Sequence, residues 1–497
     1  MNILVLDIGT SGLKTMIYDG RGRALVKTHR HYSPQFSADS VEMDASVVER
    51  HVWDSLSEIS CWCHKNSVAV GIVSVTAQRS SVIPVDKNGR PLRKALMWQD
   101  KRAKGICEDY RDREPEIYSL CGMKPSPVFS APKIVWLKRN EPDVYEHAYK
   151  LLGFQEFILH SLTGEFVADA TIAGRSCLMD IRRFTWSPAL LDLFGIDENK
   201  LCKVISPGSI CGAVNSRFSS LFGLKSGIPV VTAGGDQQCA AVGLGCILPQ
   251  DIEINTGTGA YVLCVTDHPV IDDKMRVACN PSAVTGRWIV EGSVLSCGSA
   301  ISWMNREFFK SEEQGDSYGG FDAAAASSPP GANGLVVLPA FCGVGTPCWD
   351  DRATAQICNL SLRHKKADFA RALLEGIAME IEECADTVAD VCGFHRPRDI
   401  SCGGGVTKNN LFDDILANTL DCRILVPVCR EATALGAWIS AAVTNGLYRN
   451  YEEAYRAASD QIDHKLFRPD TAAQALYSKL KESRSRVLKK QSIDQHC

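Results

Sequence analysis

Short apolar runs interrupted by glycine-rich turns set the pattern of this chain. Residues 3–6 are apolar and end at Asp7. Ile8-Gly9-Thr10-Ser11-Gly12-Leu13-Lys14 follows, and residues 15–19 return to a largely apolar run. Apolar runs on both sides of a small, glycine-bearing turn predict a β-hairpin. Asp19-Gly20-Arg21-Gly22 supplies the next turn. Residues 68–75 and 81–86 predict buried strands, the second ending in the turn Asp86-Lys87-Asn88-Gly89. Residues 228–233 predict a strand that runs into Gly234-Gly235-Asp236, and residues 251–255 another, leading into Thr256-Gly257-Thr258-Gly259-Ala260-Tyr261.

That last segment repeats the plan of the N-terminal hairpin. Thr10 and Thr258 stand 248 positions apart in a chain of 497, so the offset is half the length. Two halves built on one plan are the expectation. The second half continues in kind, with a strand at 334–339 and a strand at 399–402 that enters Gly403-Gly404-Gly405. Residues 368–391 have helical spacing, with Phe369, Leu373, Ile377 and Ile381 on one face. The Ala-rich stretch 433–442 is also helical. Residues 323–331 (Ala-Ala-Ala-Ala-Ser-Ser-Pro-Pro-Gly) read as a flexible loop. The basic stretch 479–490 reads as a solvated helix end rather than a nucleic-acid tail.

Composition narrows the class. At 45% hydrophobic and 23% charged, the chain is an ordinary globular protein, which excludes disorder and collagen-like repeats. Lys plus Arg is 54 and Asp plus Glu is 58, a net charge of −4 with no electrostatic footprint for nucleic acid. The start, Met1-Asn2-Ile3, lacks a basic n-region and a cleavage site, and no apolar run approaches the ~18 residues that cross a bilayer. A cytoplasmic protein with no membrane partner is expected. Its 21 cysteines, odd in number and spread throughout, are mostly small buried hydrophobes rather than a disulfide framework. Cys61-Trp62-Cys63-His64 lacks a second Cys/His pair at zinc-site spacing.

Candidate chemistry gathers at the glycine turns. Strands ending in such turns place backbone N–H groups around a concavity that suits phosphate. The turns at Gly9-Thr10-Ser11-Gly12, Gly257-Thr258-Gly259 and Gly403-Gly404-Gly405 match neither a Walker A loop nor a dinucleotide GxGxxG. Singly, each also fits a plain structural turn. Together they fit two domains clamping a nucleotide. Asp7, beside the first turn, suits Mg²⁺, and Lys14 across the hairpin suits a phosphate oxygen. Asp236 ends an apolar strand and opens a helix of small residues. It fits a general base for a hydroxyl nucleophile and fits a helix N-cap equally well.

These residues resemble the FGGY family of carbohydrate kinases, which includes glycerol kinase, xylulokinase and ribulokinase, essentially from end to end. Residues 6–14 look like the family's first phosphate hairpin, and residues 129–137 like its Lys-x-x-Trp segment, here Lys133 and Trp136. Gly234-Gly235-Asp236-Gln237-Gln238 resembles the loop of the catalytic aspartate, and Asn255-Thr256-Gly257-Thr258-Gly259 the second phosphate hairpin. Residues 298–303, 339–341 and 347–350, Gly403-Gly404-Gly405 with Asn409, and residues 431–437 resemble further family segments.

The resemblance implies an α/β protein of two actin-like ATPase (ribonuclease H-like) domains with an interdomain cleft. Residues 1–247 would form the domain with the sugar site, first hairpin and base. Residues 248–478 would form the nucleotide domain, and 479–497 a basic tail. It implies ATP and Mg²⁺ as cofactors and a small sugar or polyol as substrate. Asp236 would be the general base and Asp7 the Mg²⁺ residue. Thr10, Ser11, Lys14, Gly257, Thr258 and Gly298 would serve the phosphates, and Gly404, Gly405 and Asn409 the adenosine. Gln78, Arg79, Trp98, Asp236 and Gln237 would hold the substrate. The family commonly forms dimers or tetramers.

Departures bear on the substrate. Glycerol kinases carry Arg-Glu where this chain has Arg79-Ser80, and Tyr where it has Val128; xylulokinases carry a Met-His-Gly that is absent here. A ketose, polyol or sugar acid is therefore expected ahead of glycerol, which is the alternative. A non-catalytic ATP-dependent sugar sensor of the same fold is the more distant one. Asn359 stands where the family usually has Gly and is expected to shape a turn. Cys342 and Cys348 are the thiols whose modification would report on the cleft.

Overall fold

A computed structural model describes residues 1–216, 227–309, 319–428 and 431–494. The chain forms two compact units, and the partition does not simply follow chain order. The first unit holds Met1–Pro249, Val265–Ile289 and Glu431–Ile462; the second holds Gln250–Cys264, Val290–Arg430 and Asp463–Cys497.

The first sheet contains β1 (Asn2–Ile8), β2 (Gly12–Tyr18), β3 (Ala24–His31), β4 (Val70–Ala77), β5 (Ser209–Ala213) and β6 (Pro229–Gly235), in the order β5-β6-β4-β1-β2-β3. The second unit is built on β7 (Ile252–Thr256), β8 (Ala260–Thr266), β9 (Trp288–Val294), β10 (Asp399–Gly404), β11 (Arg423–Pro427) and β12 (His464–Phe467), ordered β9-β8-β7-β10-β11-β12. Around the sheets run α1 (Ala45–Asn66), α2 (Phe154–Thr163), α3 (Asp236–Gly243), α4 (Lys366–Val391), α5 (Asn410–Leu420), α6 (Ala432–Thr444) and α7 (Thr471–Asp494).

Both expected hairpins form. In the first, β1 and β2 pair antiparallel with Asp7 opposite Lys14 and Ile8 opposite Leu13. In the second, β7 and β8 pair with Thr256 opposite Ala260. On the other side of β1, β4 runs parallel with Thr76 beside Asp7, and β6 runs parallel to β4. The carboxyl ends of three parallel strands therefore share one edge of the first sheet, which carries Asp7, Gln78 and Asp236.

Side-chain alternation explains why β1 is apolar throughout. Leu4 and Leu6 belong to one core cluster with Val48, Val52 and Leu56 of α1, whereas Ile3 and Val5 belong to another with Ala434, Trp438 and Ala441 of α6. Both faces of the strand are core. Helices α3 and α6 cross at small residues: a Cβ on Gly436 would stand 1.8 Å from the Cys239 carbonyl oxygen, and one on Gly243 2.0 Å from that of Ala432. That close approach accounts for the Ala-rich composition of α6.

Two expectations change. Residues 323–327 belong to a helix, Gly319–Ser327, rather than to a loop. Alanine has the highest helix propensity, and Pro329-Pro330 only ends the element. The basic C-terminal stretch is also not simply solvated. Tyr477 of α7 is buried and accepts a hydrogen bond from Arg371 Nη2 of α4 at 2.9 Å. Lys481 pairs with Glu382, and Arg484 Nη1 with Glu383 Oε2 at 2.9 Å, so the cations meet an acidic face of α4. Asn359 does shape a turn: its φ is 62°, a left-handed value that Asn tolerates better than most residues. Among the described residues, no helix is long and apolar enough to cross a membrane.

Candidate active site

The first hairpin is closed by Gly9 N–H donating to the Gly12 carbonyl at 2.9 Å. Its side chains form one hydrogen-bonded set. Trp98 Nε1 donates to Thr10 Oγ1 at 2.9 Å, and Thr10 Oγ1 donates to Gln78 Oε1 at 3.2 Å. Gln78 Nε2 and Tyr32 Oη both donate to the Gly9 carbonyl, at 3.3 and 2.7 Å. Ser11 is exposed at the tip of the turn. Thr10, assigned to phosphate by sequence, and Gln78 and Trp98, assigned to substrate, are thus physically joined.

Asp236 is the first residue of α3, and Gly235 takes the cap position ahead of it. The N-cap reading of Asp236 is thereby corrected. One carboxylate oxygen accepts from Gln237 N at 2.8 Å and lies 3.5 Å from Arg79 Nε. The Arg79 stem packs on Gly235, where an added Cβ would fall 2.5 Å from Cδ. Gln237 Oε1 is buried with no hydrogen-bond partner among the described residues, an acceptor suited to a ligand hydroxyl.

Charge at this edge is coupled. Burial, the largest influence, pushes the Asp7 carboxyl up to about 7; Lys14 pulls it down, while Asp236 and Glu431 push it further up. Lys14 Nζ lies 2.8 Å from Glu431 Oε2, and Lys27 binds the other oxygen. Burial depresses the Lys14 ammonium, but the Glu431 hydrogen bond and the Asp7 and Glu431 charges outweigh it, so its pKa ends above the ordinary value. Burial likewise opposes ionisation of Glu431, and the two lysines more than reverse it. Glu431, at the start of α6, is the residue that sequence reasoning missed; no local signal links it to Lys14, 417 positions away.

The second hairpin is held by backbone instead. Gly257 N donates to the Gly259 carbonyl at 2.8 Å, and Gly298 N to the Gly257 carbonyl at 2.9 Å. Ser299 reaches the Thr258 carbonyl through its amide and its hydroxyl, at 3.1 and 2.9 Å. Gly404 has φ 102°, and a Cβ there would stand 2.1 Å from the Thr256 carbonyl oxygen, which accepts from Gly405 N at 2.7 Å. Gly257, Thr258, Gly298, Gly404 and Gly405 are therefore gathered around one set of strand ends. Asn409 caps α5, accepting from Leu411 N and Phe412 N, and donates to Asp322 Oδ1 at 2.7 Å.

The Lys-x-x-Trp segment is structural in its contacts. Lys133 is wholly buried and donates to the carbonyls of Val128 and Phe129, and burial lowers its pKa to about 7. Trp136 lies under Arg102, 4.4 Å from ring centroid to guanidinium carbon. Among the described residues no group of three or more His, Cys, Asp or Glu side chains is arranged to hold a metal. One buried carboxylate, Asp7, with ligand oxygens and water is the kind of donor set that Mg²⁺ accepts.

Residues 2–243 match the FGGY family of carbohydrate kinases, N-terminal domain, and residues 252–445 match its C-terminal domain. A glycerol kinase of Alcanivorax borkumensis is 29% identical over 469 residues, covering 90% of this chain and 91% of that protein. An autoinducer-2 kinase of Escherichia coli is 28% identical over 477 residues, covering 91% and 87%. The solved gluconate kinase of Lactobacillus acidophilus superposes with a TM-score of 0.90 at 25% identity, covering 98% of this chain and 97% of that one. The two α/β units have the actin-like ATPase fold of these kinases. This chain belongs to the FGGY family of carbohydrate kinases.

Proposed function

We propose that this carbohydrate kinase moves the γ-phosphoryl group of MgATP to a hydroxyl of a free ketose, polyol or sugar acid, with Asp236 as general base. The observation that carries the reading is the shared strand edge, where Asp236 opens α3 beside Arg79 and Asp7 lies one residue from the end of β1. Asp236 takes the proton from the substrate hydroxyl as that oxygen attacks phosphorus. Arg79 orients the Asp236 carboxylate. Gln237 presents its unpartnered Oε1 to the sugar, and Gln78 and Trp98, hydrogen-bonded to the first hairpin, shape the substrate site beside it. Thr10, Ser11, Lys14, Gly257, Thr258 and Gly298 take phosphate oxygens. Gly404, Gly405 and Asn409 line the adenosine. Asp7 would hold Mg²⁺, which would supply neutralisation of phosphate charge. The remainder of catalysis is positioning and exclusion of water.

Residues 1–247 act as the sugar and base domain and 248–478 as the nucleotide domain, with 479–497 a basic extension that pairs with α4 through Lys481 and Arg484, in a cytoplasmic homo-oligomer. For the substrate, Ser80 and Val128 support a ligand other than glycerol. Ser80 Oγ is buried and donates to the Arg175 carbonyl at 3.3 Å, so it offers no carboxylate to a triol. A site with different buried polar groups discriminates strongly between hydroxyl patterns. The likeness to glycerol kinases keeps glycerol as the competing substrate.

The test is coupled ADP release with MgATP across glycerol, tetritols, pentitols, ketopentoses, ketohexoses and sugar acids, with Asp236→Asn alongside. A strong hit lost in the variant supports the reading. Normal turnover by Asp236→Asn sinks the base assignment, and glycerol as the single hit sinks the substrate class.

A further inference from the structure

The peptide just ahead of Asp236 is held in an unusual way. Strand β6 bulges there: Thr232 stands opposite Val75 and Gly234 opposite Thr76, so Ala233 is an extra residue, and Gly234 has φ 125°. A bulge interrupts the ladder and leaves backbone groups that need other partners.

Side chains from outside the strand supply them. Gln155 of α2, fully buried, uses both hydrogens of its amide: Nε2 donates to Gly234 O at 3.0 Å and to Val75 O of β4 at 3.3 Å. Thr171 Oγ1, also fully buried, accepts Gly235 N–H at 2.7 Å. The Gly234 carbonyl and the Gly235 amide are the two polar ends of one peptide unit, so both ends are fixed by side chains.

The Thr171 hydroxyl is itself oriented. It donates to Asp169 Oδ1, which leaves its lone pair free for Gly235. Asp169 is fully buried and caps the short helix Ala170–Gly174, accepting from Thr171 N at 2.8 Å and Ile172 N at 3.3 Å. Its other oxygen accepts from Thr232 Oγ1 on β6 itself. Polar side chains buried in an apolar interior are expensive unless engaged; here the Gln155 amide nitrogen and the Thr171 hydroxyl converge on one peptide, and Asp169 orients the Thr171 hydroxyl.

We propose that Asp169, Thr171 and Gln155 are positioning residues for the general base, a clamp that sets where the Asp236 backbone begins. The inference rests on the reading of Asp236 as base. A base must lie within hydrogen-bond reach of its proton, and rotation of the preceding peptide would swing the carboxylate away. A displacement of about 1 Å at a reacting group costs about 100-fold in rate.

The experiment compares Thr171→Val with Thr171→Ser in the full chain, measuring kcat, both KM values and the thermal midpoint with the best substrate. The valine variant keeps the shape and loses the acceptor; the serine variant keeps the acceptor. Expected are a kcat lowered about 100-fold by Thr171→Val with the nucleotide KM within about threefold, and recovery of most of that loss by Thr171→Ser. Gln155→Met, which removes one side of the clamp, lowers kcat about 10-fold in the same pattern, and it carries the test if Thr171→Val fails to fold. A kcat within threefold of wild type in folded Thr171→Val overturns the clamp, as does an equal loss in Thr171→Ser or a loss shared by the nucleotide KM. Asp236→Asn on the same substrate separates the two ideas. Normal turnover there removes the base reading itself, whereas lost turnover there with Thr171→Val intact removes only the clamp.

Discussion

The two glycine hairpins share a plan and differ in what surrounds them. Around the first are Asp7, Lys14, Lys27, Glu431, Arg79 and Asp236, linked by ion pairs and mutual charge. Around the second are Gly298, Ser299, Gly404 and Gly405, and its contacts run through backbone amides and carbonyls. One hairpin is a charged centre and the other a close-fitting backbone cradle. The difference teaches that a strand–turn–strand motif fixes only where backbone donors lie. Whether a site performs proton and charge chemistry depends on which side chains other elements deliver to it.

The largest expected effect tests the charged hairpin. Asp236→Asn should lower turnover by about 10²–10⁴-fold while nucleotide affinity, read by titration calorimetry, stays within about threefold. A variant that retains turnover would make the first hairpin as passive as the second. Next comes the cradle. Gly404→Ala introduces a Cβ 2.1 Å from the Thr256 oxygen at a left-handed φ. It should weaken nucleotide binding at least tenfold and lower stability by about 3 kcal/mol. Unchanged binding in this variant would show that tight backbone approach is not what the second hairpin uses.

A smaller effect is expected from Lys14→Met, which removes the cation paired with Glu431. The nucleotide KM should rise about tenfold, the worth of one charge-assisted contact, and that rise should shrink as salt is added. An unchanged KM would assign Lys14 to Glu431 alone.

The smallest effect concerns charge that the second unit keeps in its interior. Burial pushes the Asp413 carboxyl of α5 up to about 7, and both its oxygens lack a hydrogen-bond partner among the described residues. An unfolded Asp ionises near 4, so between pH 4 and 7 the folded state binds the extra proton and stability falls as pH rises. Asp413→Asn should flatten that part of the profile by about 1–2 kcal/mol in denaturant melts at pH 5 and pH 8. An identical slope in variant and wild type would mean that Asp413 titrates as it does unfolded.

Much of the site could be read along the chain because its parts are local. Gly9 to Gly12 and Gly257 to Gly259 announce turns, and Asp7 and Asp236 sit at the ends of apolar strands whose direction and burial follow from composition. The 248-residue offset between the hairpins exposed the repeated plan. Residues 323–327 were misjudged because Ser and Pro at the far end masked four helix-forming alanines. Glu431, Asp169, Thr171 and Gln155 carried no local signal as partners of the site, since each reaches it from a distant element.

By itself, then, the sequence determined the strands, the two hairpins, the family and the ionisable groups at strand ends. Those follow from side-chain period, glycine conformation and residue chemistry, all properties of neighbouring positions. Tertiary structure alone decided that Glu431 faces Lys14, that Gly235 rather than Asp236 caps α3, and that buried Gln155 and Thr171 hold the peptide before it. Those depend on packing between elements far apart in the chain, where a buried polar group must find a partner and the fold determines which one it meets.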